Sequence, residues 1–134
     1  MLPEATPLAQ GEIAGVDHVV VKTQNAEAAK TFYGEQLRIR LALEQDVPEW
    51  GGTQLFFRAS SMSIEVIASE KAAEHDELWG LALKTHDIED THARLISSGI
   101  AVSEIRDGRK PRTKVCTVKT HTLGVPTLLI QHQN

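Results

Sequence analysis

Cysteine is almost missing from this 134-residue chain: Cys116 stands alone. That excludes an internal disulfide and any cysteine-based zinc cluster. Aromatic residues make up only 4 %, so a core must rest on valine, leucine, isoleucine and alanine. No apolar run approaches the length of a membrane span, and no charged-then-apolar leader opens the chain. No membrane partner is therefore expected, and the expected location is cytoplasmic. Positive charge is in deficit, with a formal net charge of −4. Nucleic acid is thus not expected as a partner, because phosphate binding needs a basic surface. The one basic stretch runs from Arg106 to Lys114 through Arg109, Lys110 and Arg112; it reads as a solvated loop and edge strand. No G-x-S-x-G, P-loop, dinucleotide fingerprint or H-E-x-x-H occurs, which removes several enzyme classes.

What is present suits a single domain. The hydrophobic share is 41 %, near the globular average. Residues 1–14, with Pro3 and Pro7, read as an extended N-terminal arm, and one domain is expected over 15–134. Its first strand is VDHVVVK, residues 16–22. After a turn and cap at 23–25, Ala26, Ala29, Phe32, Tyr33 and Leu37 fall at helical spacing, predicting a helix over 26–37. Strand-like runs follow at 39–44, 54–58 and 63–68, with Gly51-Gly52 punctuating the first gap.

The same order then recurs. Residues 78–85 read as a strand, Asp87 as a helix N-cap with Asp90 three residues on, and Ile88, His92, Leu95 and Ile96 as one helical face. Gly99 suits the position just past the helix. Strands are expected at 101–105, 114–119 and 127–132. Positions 18 and 80, and positions 22 and 84, are both 62 apart, so Lys22-Thr23 lies over Lys84-Thr85. The chain is read as two modules, about 15–70 and 77–134. Neither could bury its sheet face alone. The fold class is α+β: two βαβββ modules forming one rolled, mixed eight-stranded sheet around a cleft, helices outside.

Side chains alternate along a strand. His18, Val20 and Lys22 share a face; so do Ser63, Glu65 and Ile67, and so do Thr127, Leu129 and Gln131. An imidazole and a carboxylate in mid-strand are unusual. If both enter one concave face they could ligate a divalent metal. They could equally be a hydrogen-bonded polar pair without metal, with Glu65 as general base and His18 as its partner or acid. Arg58 and Lys84 end strands and could receive an anionic substrate. Trp50 could wall a ligand, and His121 could fold over the mouth of the site. Trp79 and Cys116 read as core, and His75, His86, His92 and His132 as structural or solvated.

GVDHVVVKTQNAEAAKTFYGEQL resembles the opening of glyoxalase, bleomycin-resistance and extradiol dioxygenase domains, the vicinal oxygen chelate superfamily. SIEVIASE is similar to that family's fourth strand with its central Glu, and WGLALKTHDIEDTHARLISSG to the start of its second module. The resemblance covers roughly residues 15 to 133 and is nearest to the glyoxalase-like subgroup. It implies a homodimer with a small-molecule site. It also implies metal ligands from the first and fourth strands of each module: His18, Glu65, the position of Gly80, and Gln131. Gly80 cannot ligate and Gln131 replaces the usual Glu, so a four-ligand glyoxalase site is in doubt and an extradiol dioxygenase is argued against. Two readings stay open. One is a zinc, nickel, manganese or iron-assisted lyase or isomerase acting on a small oxygenated molecule. The other is a metal-free binding or sequestration protein of the bleomycin-resistance type.

Overall fold

β-Branched and alternating runs do become strands. The computed structural model describes residues 11–133, and of Trp50 the backbone only. Most of the proposed N-terminal arm therefore lies outside the described residues. The element order is β1 (Ile13–Thr23), α1 (Ala26–Ala29), a π-helical continuation (Lys30–Gln36), β2 (Arg40–Val47), a 3₁₀ turn (Pro48–Trp50), β3 (Gly52–Ala59) and β4 (Met62–Ser69). Then come β5 (Glu77–Thr85), α2 (Ile88–Ser97), β6 (Arg106–Asp107), β7 (Thr113–Val118) and β8 (Thr127–His132). Both halves thus read βαβββ. The strands order as β2-β3-β4-β1-β5-β8-β7-β6 in an eight-stranded sheet. It is mixed: β1 runs parallel to β4, whereas β2–β3 and β3–β4 are antiparallel. The fold class is α+β, as the element order implied.

The chain divides into two compact units. One spans Val16–Ala82; the other takes Leu83 onward together with the chain up to Gly15. In the first, Leu55, Phe57 and Val66 are buried, with Val21, Tyr33, Leu41 and Ile64 packed against them. The strand residues among these come from one set of alternating positions on β1 to β4, and that face carries α1. Tyr33 meets Phe57 with ring centroids 5.5 Å apart. Burying such side chains contributes about 1.5–3 kcal/mol each. The expected single helix over 26–37 changes character at Lys30. There the Leu37 amide reaches five residues back to the Phe32 carbonyl (2.8 Å), a π-type bond.

In the second unit Ile88, Cys116 and Leu129 form the buried centre, with Leu83, Leu95 and Val118 around it. One expected strand is not there. Residues 101–105 make only an isolated bridge, Val102 to Val118, and β6 is just two residues long. Side chains divert the ladder. The Ser103 carbonyl bonds the His92 ring nitrogen Nε2 (3.0 Å), and the Ser103 hydroxyl accepts the Thr117 amide instead (2.8 Å).

Both units enter their helix by the same local device. The Thr23 hydroxyl accepts the Asn25 amide (3.1 Å), and the Asn25 side chain accepts the Ala28 amide (2.9 Å). The Thr85 hydroxyl accepts the Asp87 amide (3.2 Å), and the Asp87 carboxylate accepts the Asp90 amide (3.0 Å). Each caps a first turn whose amides lack helical partners. Every one of these pairs is again 62 residues apart.

Candidate functional site

In the first unit the face of β1, β3 and β4 opposite α1 collects the polar side chains. The register sets His18 beside Ser63, Val20 beside Glu65 and Lys22 beside Ile67. It sets Arg58 opposite Ser63, Phe56 opposite Glu65 and Gln54 opposite Ile67. Cross-strand partners share a face, so His18, Glu65 and Arg58 lie on one face, His18 and Glu65 in diagonal positions on adjacent strands.

Each polar group here is held by a second side chain. His18 Nδ1 bonds Asp17 Oδ2 at 2.7 Å, with both side chains mostly buried. A carboxylate on Nδ1 holds a proton there, so that in the neutral imidazole Nε2 is the acceptor nitrogen. The Gln45 amide donates to Gln54 (2.8 Å), and Gln54 Nε2 donates to Glu65 Oε1 (2.5 Å). Arg58 donates to the Ser63 hydroxyl (3.1 Å). Further along the face, the Lys22 ammonium lies 3.7 Å from the centre of the Trp79 ring, a cation–π contact. Trp79 is 46 % exposed, which corrects the expectation that it is core: its ring serves as a platform for Lys22. Two depressions occur in this unit. One, of about 420 Å³, lies by Gln24, Asp46, Pro48 and Glu70; the other, of about 530 Å³, by Lys30, Gly34, Arg38 and Arg40. Neither is lined by His18, Glu65 or Arg58.

The remaining sequence candidates belong to the second unit, apart from Trp50, whose side chain lies outside the described residues. On β8, Gln131 turns its amide oxygen to the Ile88 amide at 2.8 Å, capping α2. Lys84 is partly buried on β5. His121 sits in an exposed loop at φ 68° and bonds the Thr120 hydroxyl at 2.7 Å. Asp17, Gln54, Gln45 and Ser63 were not singled out from the sequence. The period-2 pattern of QLFFR and MSIEV could have flagged Gln54 and Ser63.

A profile of the Glyoxalase/Bleomycin resistance protein/Dioxygenase superfamily matches residues 17–117. The chain belongs to this superfamily. Solved structures place its fold in the same company. Methylmalonyl-CoA epimerase from Mycobacterium tuberculosis is 19 % identical, with a TM-score of 0.71 over 96 % of this chain and 94 % of that one. A hypothetical protein from Bacillus halodurans is 16 % identical, with a TM-score of 0.69 over 89 % and 94 %. A Streptomyces coelicolor methylmalonyl-CoA epimerase variant, in complex with 2-nitronate-propionyl-CoA, is 16 % identical, with a TM-score of 0.68 over 92 % and 100 %. No protein of curated function matches the sequence. Among the described residues, no helix is long and apolar enough to cross a membrane.

The superfamily resemblance implies a divalent metal, and the donor set can be tested against one. His18 Nε2 and a Glu65 oxygen are suitable donors. Gly80 offers none, and the Gln131 oxygen is engaged by the Ile88 amide. Among the described residues no three His, Cys, Asp or Glu side chains converge on a common point. A catalytic zinc-type ion takes three protein ligands; two do not fit.

Proposed function

We propose that this superfamily member binds a small oxygenated molecule on the face of β1, β3 and β4, through His18 and Glu65 and without a metal. The observation that carries the reading is that both groups share that face and each is fixed by a second side chain, Asp17 or Gln54. Such preset polar groups orient a ligand without a further ordering cost. A net charge of −4 supports a small molecule over nucleic acid. In this reading the protein works in the cytoplasm as a homodimer.

A second reading is favoured by one feature, the Asp17–His18 pair. Glu65 takes the proton from the carbon beside a carbonyl and returns it to the neighbouring carbon. Nε2, as the acceptor nitrogen, takes the substrate's hydroxyl proton and gives it back, so that no proton is gained or lost overall. That is metal-free proton transfer beside a carbonyl, an isomerase's step.

Both readings are tested by melting curves with a set of short oxo- and hydroxy-acids and 2-oxoaldehydes, with and without EDTA. A compound that stabilises the protein should do so equally in EDTA. His18→Ala and Glu65→Ala should each weaken it about tenfold or more. Stabilisation abolished by EDTA would refute the metal-free site. For the second reading, the bound compound is incubated in deuterated water and its carbon-bound protons are followed by NMR. Exchange should slow about 10²–10⁴-fold in Glu65→Gln and also fall in Asp17→Asn. Binding with no exchange in the unaltered protein leaves only the binding function.

A further inference from the structure

The face that carries His18 and Glu65 also carries two arginines that the fold places in opposition. Arg40 on β2 is the register partner of Arg58 on β3. Arg58 is the partner of Ser63 on β4, and Ser63 of His18 on β1. Arg40, Arg58, Ser63 and His18 therefore form one transverse row across four strands. Like charges directly opposite each other on adjacent strands are destabilising. Elsewhere three basic side chains are in ion pairs. Lys30 is paired to Glu44 (2.6 Å) and Glu27 (3.2 Å), Arg94 to Asp90 (3.6 Å), and Lys114 to Asp107. Among the described residues neither Arg40 nor Arg58 is in an ion pair. Glu65, one row further on the same face, is hydrogen-bonded to Gln54 and forms no ion pair with either arginine. The Ser63 hydroxyl accepts from Arg58 (3.1 Å), so its own hydrogen is free to be donated to something else.

We infer that Arg40, Arg58 and Ser63 form an oxyanion subsite, so that the ligand bears a carboxylate or phosphate. Strands lie about 4.8 Å apart, which puts His18 about 10 Å along the row from Arg58. Same-face positions on one strand are about 7 Å apart, which sets the distance from Ser63 to Glu65. The ligand class is therefore a short oxyacid, with its anionic group at the arginines and its oxygenated carbon within a few bonds, at His18 and Glu65. Arginine's planar fork suits either oxyanion. This deepens the binding function proposed above and rests on it.

The test is a titration of the full chain with inorganic phosphate and, separately, with succinate, followed by amide and arginine Nε–H NMR spectra. Saturable shifts are expected at Arg40, Arg58 and Ser63. Arg40→Gln and Arg58→Gln should each weaken binding about tenfold or more, while Arg109→Gln on its exposed loop should change nothing. Removing one arginine relieves a repulsion, so the ligand-free melting temperature of Arg40→Gln should stay level or rise; the variant remains folded and informative. Which of the two anions saturates identifies the oxyanion. Shifts that fail to saturate for both anions, or binding unchanged in both arginine variants, overturn the subsite. The two proposals fail separately. Anions that bind at Arg58 while no oxoacid or hydroxyacid perturbs His18 or Glu65 sink the proposed function alone. Compounds that perturb His18 and Glu65 with equal affinity in the arginine variants sink the subsite alone.

Discussion

Cys116 has no exposed surface, and it sits on β7 among Ile88 and Leu129. Burial pushes its thiol up from the ordinary range, and the charge of Arg106 opposes this only in part. The thiolate is the reactive form, so at pH 8 Cys116 should resist an aromatic disulfide reagent in the folded protein. It should react fully in denaturant. Rapid labelling of the native protein would show that the centre of the second unit opens readily. Asp17 and Gln54 show where residue-scale reading succeeds and where it stops. That His18 shares a face with Val20 and Lys22, and Glu65 with Ser63 and Ile67, follows from strand alternation alone; that the two sets form one face, with Arg58 on it, comes from the register. Asp17, adjacent to His18, is assigned by that same alternation to the opposite face. A hydrogen bond between neighbours on one strand (2.7 Å) runs against the rule, and no spacing in the sequence signals it. Gln131 failed differently: its spacing fits a ligand as well as a cap, and the Ile88 amide decides between them.

At the scale of elements, the stretch before β6 shows how one hydroxyl replaces a ladder. AVSEI has the composition of a strand, yet Ser103 takes the Thr117 amide on its side chain, while its backbone amide bonds the Thr117 carbonyl (2.8 Å). Arg106 also donates to the same hydroxyl (2.9 Å). Short polar side chains compete with regular backbone pairing in this way. Ser103→Ala should strip the Thr117 amide of its acceptor and cost about 1–3 kcal/mol, read as a lower denaturation midpoint with faster exchange at the Thr117 amide. Ser103→Thr, which keeps the hydroxyl, should recover most of it. Unaltered stability in the alanine variant would mean that the backbone re-pairs as the regular strand that composition suggests. The helix over 26–37 was legible as an element, but its π character was not. Its apolar spacing fits a 3.6-residue turn, and nothing in that spacing signals the Leu37-to-Phe32 bond.

At the scale of the whole molecule, the repeat is more visible in backbone chemistry than in identity. Lys22-Thr23 and Lys84-Thr85 are too short a match to exclude chance. The structure adds meaning: at the same offset, both threonines fold a turn onto a capping residue, Asn25 or Asp87, which then caps a helix. The order βαβββ was readable twice because strand and helix periods differ. Which side chains meet across strands was not, because register is set by pairing and not by any one segment. The duplicated caps allow a direct test of independence. Asn25→Ala and Asp87→Ala should each cost about 1 kcal/mol. The two caps belong to different compact units and have no hydrogen-bond partner in common. Their costs in the double variant should therefore add to within about 0.5 kcal/mol. Denaturant unfolding of the four proteins measures this. Additivity means that each unit secures its own helix entry, as two copies of one βαβββ design would. A double variant that departs from the sum by more than about 1 kcal/mol would mean that the caps stabilise a shared structure, and that the repeat in sequence no longer marks two separate elements of stability.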